Sequence, residues 1–456
     1  MKDIELHKIQ NFFFIGIAGD GMSAIAQYLA GTGKNVSGSD RRFSAYDKTF
    51  RQKQLENEGI KCYPQDTSGI TNDIEIVVVS SAIEPEVPEY KYALEKNIPV
   101  VMRSDLLAAI TETKKTVAVS GTSGKSTVSA MIYHIMNFAG YKPSLITGAG
   151  LIDIQKFGKI GNAVAGKGEY LITEADESDG SVVKYKPYIG IILNIDKDHK
   201  EVPELIKLFD IFADNSELLI ANNDKTKGIS VNKKNNFGFS RSSGFRISNF
   251  KQIGFKIIFT VNGIDFKIPQ IGKHNAENAA AAVAACSLSG ISIETSADAL
   301  KSYEGIFRRH QIIENKNGIT LIDDYAHNPA KLSASIKACQ FRTSRLIVWF
   351  QPHGFKPVKF LRNEFVKEIS EALRDQDEIW MSEIYYAGGT TDRNISADEL
   401  IQDIRKKGKK AFFVKDRKMF PYKIKDELKL GDVILLTGAR DPSLKDFAEY
   451  VKEKFF

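Results

Sequence analysis

Three α/β domains with mainly parallel sheets are what this sequence predicts, the first and the third Rossmann-like. Length is one reason, since 456 residues exceed one ordinary core and suit two to four domains. A second is the alternation of short apolar, β-branched runs with helical patterns, the sign of βαβ units. A third is that the alternation restarts twice, which divides the chain into residues 1–110, 111–312 and 313–456.

In the first division "FFFIGI", "AGDGMS", "AIAQYLAGTGK" and "NVSGSD" read as strand, glycine turn, helix and strand, and "IEIVVVSSAI" and "NIPVVMR" continue the series. "LLAAITETKK" reads as a polar link. "TVAV" (Thr116–Val119) then opens the second division, with further strands at Tyr170–Asp176, Ile189–Asp196 and Ser216–Asn222. Short β-runs cover about 237–270, and the alanine-rich stretch His274–Leu288 reads as a closely packed helix. A third series runs through "GITLIDDYAHNPAKLSASIKA", "RLIVWFQPH", "DEIWMSEIY", "KAFFV" and "DVILLTGA".

Composition excludes several classes. At 43% hydrophobic and 26% charged residues the chain reads as soluble and globular. A net charge of +6, from 63 basic and 57 acidic residues, is too small a surplus to imply nucleic acid. Its lysine pairs lack an aromatic platform. Cys62, Cys286 and Cys339 are odd in number and far apart, so neither a zinc knuckle nor a disulfide framework is expected. No apolar run approaches the ~20 residues of a membrane span. The cytoplasm is the expected compartment.

The chemistry concentrates where strands end. "SGTSGKSTVSAM" (Ser120–Met131) follows an apolar strand and leads into a helix. Its backbone amides from Gly121 through Thr122, Ser123, Gly124, Lys125 and Ser126 to Thr127 can cradle phosphate. Lys125 can meet β- and γ-phosphates, and the Ser126 hydroxyl can ligate Mg²⁺. The spacing G-x-x-G-K-S is tighter than the usual phosphate loop, with Val119 where a glycine would stand. "TEADESDGS" and "NIDKDHK" also close strands. In a parallel sheet such ends share one edge, so Glu174 and His199 can converge on the same magnesium. Earlier, "GIAGDGMSAIA" places Gly16, Gly19 and Gly21 in a turn at a helix N-terminus, which suits a diphosphate. Asp40 closes the next strand, where a carboxylate commonly meets a ribose. Later, Asn275 and Asn278 offer amides to an adenine edge, and Arg308, Arg309, Asp323, Asp324 and His327 complete the series.

The order of "GIAGDGMSAIA", "VSGSD", "SSAI", "EADESDGS", "NIDKDH", "GKHNAENAAAA", "DDYAHNP" and "FQPH" resembles the Mur ligases, the ATP-dependent amino-acid ligases of peptidoglycan synthesis and cell-wall biogenesis. Their central loop is itself G-T-x-G-K-[ST]. The resemblance implies a central P-loop-type ATPase domain and ligation through an acyl phosphate. ATP and Mg²⁺, with Mn²⁺ as a substitute, are the implied cofactors. UDP-N-acetylmuramate and an amino acid are the implied substrates, and L-alanine, used by the members it most resembles, is the expected acceptor. Lys125, Glu174 and His199 would be catalytic, and Ser126, Glu174 and His199 would hold metal. Asn275, Asn278 and Arg308 would join the loop in binding ATP. The turn Gly19, Asp20, Gly21, Met22 and Ser23, with Asp40, Ser81 and Arg103, would take the UDP-sugar. His327 and His353 would face the amino acid. A monomer or weak dimer is expected.

The chain departs from the family pattern at several places. Ser123 replaces a histidine, Asn328 stands where a second histidine is common, and Gly354–Phe355 replace an arginine–tyrosine pair. Two other readings follow. One is a recycling ligase that joins UDP-N-acetylmuramate to a preformed peptide, for which a smaller residue such as Gly354 would leave room. The other is a binding or regulatory relative without turnover, against which Lys125, Glu174 and His199 argue.

Overall fold

The computed structural model describes residues 4–196, 200–230, 235–341, 343–386 and 393–456. Five strands form the first sheet: β1 (Asn11–Ile15), β2 (Asn35–Ser39), β3 (Lys61–Tyr63), β4 (Ile76–Val79) and β5 (Val100–Met102), in the order β3-β2-β1-β4-β5 and all parallel. A central parallel strand is covered on both faces, which is why β1 can be an unbroken apolar run. Phe12 and Phe14 enter one core with Met22, Ile25 and Leu29 of the helix Asp20–Gly31, while Phe13 and Ile15 enter another with Ala93. The stretch expected to be a polar link is instead the helix Arg103–Thr111, because Leu106, Leu107 and Ile110 all have core to fill.

The second sheet has ten strands: β6 (Lys115–Ser120), β7 (Ser144–Ile146), β8 (Ala163–Val164), β9 (Tyr170–Glu174), β10 (Ile189–Ile192), β11 (Leu218–Asn222), β12 (Asn235–Gly238), β13 (Phe245–Ile253), β14 (Lys256–Val261) and β15 (Ile264–Ile268). Its order is β15-β14-β13-β12-β11-β10-β6-β9-β7-β8. β6 lies between β10 and β9 and is parallel to both, so three successive strands end on one edge. The helix Lys125–Phe138 rises from that edge, and the alanine-rich helix Lys273–Leu288 is buried along most of its length.

Six strands form the third sheet: β16 (Gln311–Lys316), β17 (Ile319–Asp324), β18 (Arg345–Gln351), β19 (Glu378–Met381), β20 (Lys410–Phe413) and β21 (Asp432–Gly438). The order is β16-β17-β21-β18-β19-β20, parallel except that β16 runs antiparallel to β17. Leu346, Val348 and Phe350 of β18 pack on one face, and Ile347 and Trp349 on the other, as the twofold period of a strand requires. The chain forms two compact units, one of Met1–Lys251, Ile258–Pro269 and His274–Phe307, the other of Gln252–Ile257, Gln270–Lys273 and Arg308–Phe456. The first unit thus holds the whole first sheet and most of the second. Among the described residues no helix is long and apolar enough to cross a membrane.

Candidate active site

The Ser120–Thr127 loop turns at two glycines in the left-handed region, Gly121 at φ 127° and Gly124 at φ 91°. Gly124 is also crowded: a Cβ there would lie 2.7 Å from Asn278 Oδ1, so the Asn278 side chain would have to move. The loop's shape is fixed from β10. Asn194 Oδ1 accepts from Thr122 Oγ1 at 2.8 Å and from the Ser123 amide at 2.9 Å, and its Nδ2 donates to the Ser123 carbonyl at 2.9 Å. The Leu193 amide adds a bond to the Ser120 carbonyl at 3.0 Å.

Charge arrives from the other neighbour. Lys125 Nζ donates to the Gly121 carbonyl at 2.9 Å and to Glu177 Oε2 at 2.7 Å, with Asp176 Oδ1 at 3.6 Å. Burial works against its charge, but the carboxylates of Glu177 and Asp176 outweigh burial and hold the ammonium above its ordinary range. Glu177 is itself buried, which lifts its carboxyl despite the ammonium beside it. Glu174, at the end of β9, accepts at Oε1 from the Thr147 hydroxyl and from the Gly148 amide at 2.6 Å. The loop's helix begins at Lys125, so Ser126 and Thr127 lie in its first turn. Asn278 donates to Asn275 Oδ1 at 3.0 Å, and both are buried on the helix whose Asn278 touches Gly124.

On the first sheet, Gly19 caps the helix Asp20–Gly31 with extended backbone (φ −67°, ψ 144°). Met22 is buried in the core, so only its backbone can serve a ligand, and Ser23 is buried too. Asp40 accepts from the Ala18 amide at 3.3 Å and pairs with Arg42 Nε at 3.0 Å. Arg103 leans on the same turn, its Nη1 3.2 Å from where a Gly21 Cβ would be, and its Nη2 meets Asp179 at 3.3 Å. Ser81 is exposed in the turn after β4.

In the second unit Arg308 adopts φ 57° and is buried. Its Nε meets Asp323 Oδ2 at 2.8 Å, and its Nη2 reaches Asp323 Oδ1 at 3.2 Å and the Gly438 carbonyl at 2.9 Å. Arg308, expected at a phosphate, here ties β17 to β21. Burial raises the Asp323 carboxyl to about 6, with Arg308 opposing. Arg309 lies 5.0 Å over the Tyr325 ring. His327 and His353 do come together, their ring centroids 5.6 Å apart. Burial lowers each to about 4, helped by Lys331 beside His327 and by Arg440 beside His353, so both are neutral at pH 7. Asn328 caps the helix Pro329–Cys339, accepting from the Lys331 amide at 2.9 Å. Gly354 sits at φ 72°, a conformation an arginine would adopt only under strain.

His199 lies outside the described residues. Sequence reasoning did not assign Asn194 or Glu177, whose partners are reached only across the sheet. The signal for Asn194 was its place in "NIDKDHK", immediately past a strand that neighbours the loop.

Comparison with known proteins adds an independent line. Three family models match in chain order: "Mur ligase family, catalytic domain" over residues 11–115, "Mur ligase middle domain" over 119–286 and "Mur ligase, glutamate ligase domain" over 308–440. The UDP-N-acetylmuramate–L-alanine ligase of Dictyoglomus turgidum is 36% identical over 450 residues, covering 93% of each chain. That of Carboxydothermus hydrogenoformans is 33% identical over 459 residues, covering 95% of each. Among solved structures, the UDP-N-acetylmuramate–alanine ligase of Thermotoga maritima shares the fold with a TM-score of 0.79 at 24% identity, over 97% of this chain and 98% of that one. A murein peptide ligase from Psychrobacter arcticus does so with a TM-score of 0.67 at 18% identity, over 98% of each. Matched along nearly its whole length and in every sheet, the chain belongs to the Mur ligase family.

Proposed function

We propose that this protein is an ATP-dependent ligase that joins L-alanine to the carboxylate of UDP-N-acetylmuramate, with release of ADP and phosphate, in peptidoglycan precursor synthesis. The observation that carries this reading is the near full-length identity to ligases of that activity. It is supported by an edge on which the Lys125 loop, Glu174 and Asn194 stand side by side. The functional divisions proposed are 1–110 for the UDP-sugar, 111–312 for ATP and 313–456 for the amino acid.

The chemistry follows from those groups. Phosphoryl transfer asks for alignment and charge neutralisation more than for covalent help from the protein. The loop amides and Lys125 would hold the β- and γ-phosphates, and Asn275 and Asn278 would border the nucleotide. Lys125 must then trade its bond to Glu177 for phosphate oxygens. The substrate carboxylate takes the γ-phosphoryl group to give an acyl phosphate, the amine of alanine attacks its carbonyl carbon, and phosphate leaves as the amide forms. The neutral rings of His327 and His353 suit the amino-acid side as hydrogen-bond partners that orient the amine; lowered to about 4, they hold a proton too weakly to be its acceptor at pH 7.

Magnesium fits this donor set. Ser126 offers a hydroxyl and Glu174 a carboxylate whose Oε1 is already oriented by Thr147 and Gly148, and hard oxygen donors are what Mg²⁺ prefers. Bound there, Mg²⁺ would neutralise charge on the transferring phosphoryl group. His199 is proposed as a further ligand.

Release of phosphate from ATP and UDP-N-acetylmuramate, measured with L-alanine, other single amino acids and an L-alanyl-led tripeptide, tests the proposal. Turnover with L-alanine is expected. Turnover with the tripeptide alone would replace it with a recycling role, which Gly354 in place of a bulky residue would favour. Silence with every acceptor would overturn ligation.

A further inference from the structure

The Gly19–Ser23 turn and the Glu174 carboxylate lie on different sheets, yet one asparagine touches the structure that holds each. Asn162, just before β8, is 1% exposed. Its Nδ2 donates to the Asp20 carbonyl at 2.9 Å and to Ser23 Oγ at 3.2 Å, and its Oδ1 accepts from Gln27 Nε2 at 2.8 Å. Its backbone carbonyl accepts from the Thr147 amide at 2.9 Å. Thr147 in turn gives its hydroxyl to Glu174 Oε1. The result is an unbroken chain of hydrogen bonds, from the turn through Asn162 and Thr147 to Glu174.

The surrounding packing leaves this chain little slack. The helix carrying the turn approaches the strand after Asn162 so closely that a Cβ on Gly31 would lie 2.6 Å from Ala165 Cβ. On the turn side Ser23 Oγ also donates to the Asp20 carbonyl at 3.0 Å, and Gln27 Nε2 to the Ser23 carbonyl at 2.8 Å. A buried amide with its donor and acceptor both used fixes the position of its neighbours, because leaving any of them unpaired carries a desolvation cost.

We propose that Asn162 is a positioning residue that registers the diphosphate turn of the first sheet against the metal-side carboxylate Glu174 of the second. With its side chain buried, it acts through the turn and not on a substrate. Its effect is to set the distance between the sugar-nucleotide and the phosphoryl group that its carboxylate must receive. The inference rests on the proposed UDP-sugar site at Gly19–Ser23.

The test compares the wild type with Asn162→Ala in steady-state kinetics and in hydrogen exchange over residues 19–27. In the variant KM for UDP-N-acetylmuramate rises about tenfold, as expected for two lost bonds to the turn. KM for ATP stays near the wild-type value, a split that general loss of folding would not give. Exchange over the turn speeds up with no such change in the Lys125–Phe138 helix. Because a deleted buried amide can weaken folding, Gln27→Met, outside the proposed binding turn, is measured alongside; it removes the donor to Asn162 Oδ1 and the bond to the Ser23 carbonyl and raises the same KM about threefold. Unchanged KM and unchanged turn exchange in both variants would overturn the proposal. A wild type that does not bind UDP-N-acetylmuramate would instead refute the proposed function, and exchange in the turn would still decide whether Asn162 holds it.

Discussion

Replacing Asn194 by alanine removes the clamp on the phosphate loop while leaving its sequence intact. Three hydrogen bonds disappear: those from Thr122 Oγ1 and the Ser123 amide to Oδ1, and that from Nδ2 to the Ser123 carbonyl. At about 0.5–1.5 kcal/mol net for each, the loop's bound shape loses roughly 1.5–4.5 kcal/mol. The lower half applies here, because Ser123 is only half-buried and water can replace part of what is lost. An equilibrium shift of about 2 kcal/mol weakens ATP roughly thirtyfold, since each 1.4 kcal/mol is a factor of ten. Calorimetric titration with a non-hydrolysable ATP analogue reads this directly, and the thermal unfolding midpoint measured in parallel should fall by only a few degrees per kcal/mol lost. Asn194→Asp serves as a control. It keeps the acceptor but sets a second oxygen against the Ser123 carbonyl, so it should be no better than alanine. Wild-type affinity in Asn194→Ala would refute the view that this side chain shapes the loop.

Two further outcomes follow from the same geometry. Gly124→Ala forces a left-handed residue, at about 1–3 kcal/mol, and drives a methyl group to 2.7 Å from Asn278 Oδ1, so analogue titration should show nucleotide affinity falling at least about tenfold. His327 and His353, each lowered to about 4 by burial, bind protons more weakly folded than unfolded. Their stabilisation is complete above the ordinary histidine value near 6.5 and is lost as pH falls toward 4. Urea midpoints at pH 7.5 and 5 should therefore fall further apart in the wild type than in a His327→Gln, His353→Gln double variant.

The sequence shows most of the fold because apolar runs such as "FFFI" and "IIL" record burial on two faces of parallel sheets. It hides elements too short to show a period. β7 and β8 span Ser144–Ile146 and Ala163–Val164, and β3, Lys61–Tyr63, begins with an exposed lysine at a sheet edge. The helix Arg103–Thr111 was concealed by the polar residues that follow it, although Leu106, Leu107 and Ile110 carry its buried face. In the site, Lys125 and Glu174 are legible because each ends or follows a strand within a local motif. The bonds of Asn194, Glu177 and Asn162 are not, since each depends on which strands become neighbours. Arg308 teaches the same lesson, as its bonds to Asp323 and to the Gly438 carbonyl depend on the pairing of β17 with β21.

The loop on β6 is served unequally by its two flanks. From β10 it receives neutral amide contacts, which ionic strength hardly touches. From β9 it receives carboxylates, and the Lys125–Glu177 pair among them is too buried for salt to screen it much. The loop thus has a neutral scaffold on one flank and a charged latch on the other, and an incoming phosphate would have to displace the latch. Glu177 pairs with the lysine much as a phosphate oxygen would. Phosphate binding at Lys125 is thereby an exchange of one anion for another, with the lysine's charge paired in both arrangements.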